Sequence, residues 1–159
     1  MRKPKAFSTV LTLTFVALGV ATSALILIPL FEKSDFANYI LAGVFWLSLL
    51  GEIILFKLCT IERIKYEQKN GIKHRQKLPN GLITFTSNVE ATTADIALLL
   101  SALSLAIVAI FKLRSNGFML LIIVMLFLSM NLHCILNSRN YRYYKWYRKA
   151  IRKGVRKHE

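Results

Sequence analysis

Acidic residues are scarce in this chain: eight Asp and Glu stand against 22 Lys and Arg over 159 residues, a formal charge of +14. Cysteine is scarcer, with Cys59 and Cys134 alone and no C-x-x-C spacing, which excludes a disulfide framework and a cysteine-built zinc site. Both read as small hydrophobes. The seven glycines form no phosphate-cradling loop, and neither a nucleophile elbow nor His-Glu-x-x-His occurs. Long polar stretches that would fold as a separate catalytic domain are missing too. The sequence therefore supplies no catalytic residues, no metal ligands and no cofactor, and an enzyme is disfavoured.

What it has in abundance is apolar residues, 55% of the chain, with a mean hydropathy of +0.46, well above an ordinary globular domain. About twenty uncharged residues suffice for a helix to cross a hydrocarbon core of roughly 30 Å. Four runs qualify or nearly so: 6–31, 37–60, 92–111 and 117–136. The first follows Arg2, Lys3 and Lys5 like a signal peptide, but it is too long for an h-region of about 7–15 residues and is expected to stay as a first helix. Pro29 falls near its exit, where a lost backbone bond matters least. Thr92 with Asp95 three residues on reads as a variant capping box opening the third helix.

The basic residues then orient the spans. Three precede the first run, six lie in the connection 61–91 and nine in the tail 137–159, whereas the two short links opposite hold one and two. That asymmetry predicts both termini on the cytoplasmic side of a plasma (inner) membrane. The expected fold is an all-α integral membrane protein, a single-domain bundle of four transmembrane helices with both termini cytoplasmic and a basic amphipathic C-terminal helix. The start of the 61–91 connection is expected to prolong the second helix as far as Asn70-Gly71, and Leu82–Phe85 forms a short apolar patch that would dock on the bilayer surface or on the bundle.

In the tail, Tyr141, Tyr144, Trp146 and Tyr147 alternate with Arg142, Lys145 and Arg148. Such rings settle at the headgroup level and such cations meet anionic lipid headgroups, so these residues are the expected membrane-interface anchors. In a soluble protein the charge would suggest nucleic acid, but the membrane accounts for the same residues and no nucleic-acid partner is expected.

Inside the spans, Glu52 stands out. A carboxylate in hydrocarbon costs about 3 kcal/mol even on lenient scales, so it needs a partner or a proton. It lies about eight residues, roughly 12 Å, from the inner end of its helix, and Asn131 is at similar depth in the fourth span. These two are candidates to face one another. Nearer the inner edge, Lys57, Asp95, His133 and Asn137 form a prospective polar patch. Glu52, Asn131, Asp95 and His133 are the candidate intramembrane polar site. His133 and Cys134 are adjacent and point about 100° apart on a helix, so they cannot chelate together unless other helices help.

In helix count and in having one deep carboxylate the chain resembles the small multidrug-resistance transporters. That family's essential glutamate belongs to the first helix, where this sequence has none, and the long basic loop and tail are a further departure. Two functional readings follow. The leading one is an accessory, regulatory or protective component of a membrane assembly, associating with another membrane protein or with itself through small-residue helix faces such as Ala17, Ala21 and Ala24 or Ala102, Ala106 and Ala109. The alternative is a small oligomeric transporter or channel, coupled to protons or cations through Glu52.

Overall fold

The computed structural model describes residues 5–31, 34–69, 84–111, 116–145 and 148. Its elements are α1 (Lys5–Leu27) closed by a 3-10 turn (Ile28–Phe31), α2 (Asp35–Lys69), α3 (Val89–Phe111) and α4 (Asn116–Leu136). A short helix, α5, follows, described over 139–145. Among the described residues there is no strand. Among the described residues four helices are long and apolar enough to cross a membrane. Of the expected basic C-terminal helix, 139–145 and Arg148 fall within the described residues; Trp146, Tyr147 and residues 149–159 lie outside them, as does the 70–83 part of the central connection.

Backbone and side-chain chemistry explain the boundaries. Within α1, the hydroxyls of Thr12, Thr14, Thr22 and Ser23 donate to the carbonyls four residues back at 2.9–3.0 Å. A helix in lipid must satisfy its polar groups internally, and these do. Pro29, which has no N–H to donate, sits in the 3-10 turn that ends it. Ser34 caps α2: its carbonyl accepts from the Asn38 N–H at 3.0 Å, its hydroxyl accepts more loosely from the Ala37 N–H at 3.4 Å, and Asp35 adds negative charge to the first turn. With 35 residues, α2 is about 52 Å long at 1.5 Å per residue, longer than a bilayer core of roughly 30 Å is thick, and residues 61–69 belong to it.

Each short link makes its flanking helices neighbours. α1 packs chiefly on α2 and α3 on α4, and α1 also meets α4, joining the two hairpins. On α1 the buried positions Leu11, Thr14, Leu18, Ala21 and Ala24 recur at spacings of three and four, one stripe turned inward. Leu11, Leu18, Cys59, Ile135 and Tyr143 form one buried cluster, with Phe56 and Phe127 against it. Ala91, Ala94 and Leu136 form a second, with Phe15, Leu132 and Tyr141 against it. α4 thus contributes to both clusters and takes the central place. Outward, the helices present bare apolar side chains, Trp46 at 64% exposed and Ile110 at 73% among them, the surface that a bilayer would cover.

Candidate functional site

Two polar sites lie toward the same end of the bundle, the end that bears the basic segments. The first is centred on Asp95, and it corrects the capping expectation. α3 starts at Val89 rather than Thr92, and its cap is Asn88, whose Oδ1 accepts from the Ala91 N–H at 3.0 Å. Asp95 is inside the helix and buried, 2% exposed. Its Oδ1 accepts from His133 Nδ1 at 2.6 Å and from Asn137 Nδ2 at 3.0 Å. Its Oδ2 accepts from the Thr86 N–H at 2.6 Å. One carboxylate therefore ties α3 to the end of α4 and to the segment just before α3.

Further bonds complete that tie. Asn137 Oδ1 accepts from the Ser87 N–H at 3.2 Å, and Asn88 Nδ2 donates to the Leu136 carbonyl at 3.0 Å, filling an acceptor that the end of α4 leaves open. The Phe85 ring lies 4.7 Å from the His133 ring, centroid to centroid; Phe85 is the one described apolar member of the Leu82–Phe85 patch, and it docks on the bundle. Thr86 has φ +51°, a left-handed conformation that a β-branched residue adopts at a cost of about 1–3 kcal/mol, held by its bond to Asp95.

The second site is a pocket of about 230 Å³ between α2 and α4. α2 supplies Glu52, Ile53, Phe56 and Lys57, and α4 supplies Asn131, Cys134 and Ile135. Glu52 and Asn131 thus come to one pocket. Glu52 is 6% exposed and its Oε2 has no hydrogen-bond partner. Asn131 Nδ2 donates to the Phe127 carbonyl at 2.8 Å, which fixes the amide and leaves Oδ1 as its acceptor end. Lys57 borders this pocket rather than joining Asp95, His133 and Asn137. His133 and Cys134 part as expected, the imidazole to Asp95 and the thiol to the pocket.

Beyond α4, Ser138 breaks the helix and restarts it: its hydroxyl donates to the Ile135 carbonyl at 2.5 Å and accepts from the Tyr141 N–H at 3.1 Å. On α5, Tyr141 turns toward Phe15 of α1, ring centroids 6.4 Å apart, and toward Tyr144 at 6.2 Å. Burial, with a smaller contribution from the Glu90 carboxylate, pushes the Tyr141 phenol above its usual range. Lys145 pairs with Glu90, and the Arg148 guanidinium lies 5.6 Å from the centroid of the Tyr144 ring. Arg142 is half-buried.

Sequence reasoning missed several of these contacts. Asn88 was findable, since Asn is among the strongest capping residues and stands directly before Val89. Thr86 and Ser87, which act through backbone N–H groups, carry no side-chain signal. Arg63, counted only as topological charge, is buried and lies 3.4 Å from Glu67 one turn on. Asn140 Nδ2 donates to Thr60 Oγ1 at 2.9 Å, fastening α5 to α2.

Among the described residues no group of three metal-ligating side chains occurs. Fold and composition together define the class: an all-helical membrane protein with four helices able to span. Comparison with protein-family models, curated proteins and solved structures finds no match.

Proposed function

We propose that this is a plasma (inner) membrane protein, both ends cytoplasmic, that works by association as an accessory, regulatory or protective component of a larger membrane assembly. The observation that carries the reading is on α3. One side of this helix, with Ala91, Ala94, Ser101 and Val108, is buried within the chain. Beside it, Ala102, Ala106 and Ala109 form a flank of small side chains that the chain leaves uncovered. Small residues four apart let another helix approach closely, and in lipid, close packing rather than the hydrophobic effect drives helix association. The other row expected to serve this purpose, on α1, is spent internally: Ala21 and Ala24 are buried.

The ionisable residues support the same reading. Glu52, Asp95 and His133 all lie in the half of the spans toward the basic end, so one copy offers them no path across the bilayer. Tyr144, Lys145 and the exposed Arg148, together with Trp146 and Tyr147 of the same tail, serve as the anchor on anionic headgroups, each well-placed cation adding about 1 kcal/mol; Arg142, whose Nε and Nη2 are buried, contributes less. The test is native mass spectrometry of the protein extracted gently from its own membrane. A stoichiometric foreign subunit, lost when Ala106→Leu fills the flank, is the expected result; a bare monomer for the unaltered chain would sink the reading.

A second reading, an oligomeric proton- or cation-coupled transporter or channel, draws on the unpartnered Oε2 of Glu52. It requires that Glu52→Gln abolish flux with the fold intact.

A further inference from the structure

The Glu52 pocket, from which the transporter reading takes only the one unpartnered oxygen, has a fuller chemical character. Its wall is mostly apolar, and Lys57 and Cys134 border it, but its most deeply buried polar group is Glu52, 94% buried with one carboxylate oxygen unpartnered, and Asn131, whose Nδ2 is bonded to the Phe127 carbonyl, adds an amide oxygen. Phe56 adds an aromatic ring to the wall, and Ile53 and Ile135 add saturated carbon. A carboxylate and an amide oxygen call for a ligand with several N–H donors and a positive charge. The ring favours the same charge through its quadrupole, and the aliphatic walls call for a carbon stem. Lys57 answers part of this description, but it lies five residues on, about 140° round the helix and one and a half turns nearer the basic end, and its side chain is exposed. Lys57 borders the same pocket but does not bond the Glu52 Oε2, which has no partner.

We propose that this pocket binds a primary ammonium group carried on a short apolar stem. The chemistry comes from one of two sources, a free alkylamine or the lysine of a neighbouring transmembrane helix. It rests on the pocket's own geometry and not on the α3 flank, so each idea fails separately.

The probe is n-hexylamine, protonated at neutral pH, titrated into the purified full chain while its unfolding temperature is followed; n-hexanol provides the same stem without the charge. The expected result is a saturable rise with hexylamine, none with hexanol, and none with hexylamine in Glu52→Gln, which keeps the volume and removes the charge. Ile53→Trp, which fills the pocket mouth from an exposed position and leaves the carboxylate intact, also abolishes the rise. A rise that persists in Glu52→Gln, or one that hexanol matches, overturns the proposal. Native mass spectra separate the sources: a small-amine adduct that Glu52→Gln loses identifies a free ligand, whereas a protein subunit that Glu52→Gln loses and hexylamine displaces identifies a neighbouring lysine.

Discussion

Replacing Asp95 with alanine should release the chain segment before α3 from the bundle. The carboxylate accepts from the Thr86 N–H, from His133 Nδ1 and from Asn137 Nδ2. Asn137 Nδ2 keeps a second acceptor, the His133 carbonyl at 3.2 Å, so two donors lose their acceptor. A buried donor left without a partner costs about 1–3 kcal/mol. Bonds between helices in lipid measure less, about 0.6 kcal/mol on average, but the imidazole here is buried, whereas Thr86 is exposed and its N–H can turn to water. A loss of about 1–2 kcal/mol results, and the strained Thr86 has nothing left to hold it. At about 1.4 kcal/mol per tenfold change, amide exchange across 84–88 should speed up by roughly tenfold. Hydrogen exchange followed by mass spectrometry of peptides covering 84–95 reads this directly. Asp95→Asn keeps one acceptor oxygen and should fall between the two. Unchanged uptake in Asp95→Ala would refute the idea that this carboxylate pins the segment.

Three further outcomes are expected. Thr86→Gly removes the side chain that makes φ +51° costly and should stabilise the protein by about 1 kcal/mol, after the entropy of glycine in the unfolded chain is subtracted, seen as a higher unfolding temperature. Ala21→Leu introduces bulk at a position with 0% exposure and should destabilise by about 1–3 kcal/mol, whereas Ala102→Leu on the uncovered flank should leave the isolated chain's stability unchanged. A permeant maleimide should label Cys134, which lines the pocket, faster than Cys59, which is 0% exposed; mass spectrometry of the two peptides gives the ratio.

The helices were legible because crossing hydrocarbon imposes length and apolarity on a local stretch, and both can be read along the chain. The expected spans 37–60 and 92–111 fall within α2 and α3, and the extension toward Asn70 is there because 61–69 remains helical. The site was legible only by depth. Counting residues from the boundary put Glu52 beside Asn131, and Asp95 beside His133 and Asn137, since a helix converts sequence distance into height. It did not show which of them bond. Asp95 fitted a local capping pattern, and two of its three partners, His133 and Asn137, are 38 and 42 residues away, where no periodicity reports. Thr86 and Ser87 were invisible because backbone N–H groups look alike in every residue. Lys57 was grouped with Asp95 by height alone; rotation about the helix axis places it at the other site.

The central claim is that the Ala102, Ala106 and Ala109 flank of α3 meets another protein in the membrane. A photo-reactive amino acid placed at position 106, and in a separate variant at Leu100, which is 59% exposed and about 120° away around the helix, tests it in living cells. The account predicts one discrete protein adduct from position 106 and only lipid or diffuse products from position 100. Equal products from both positions, or none that contain protein at 106, would contradict it.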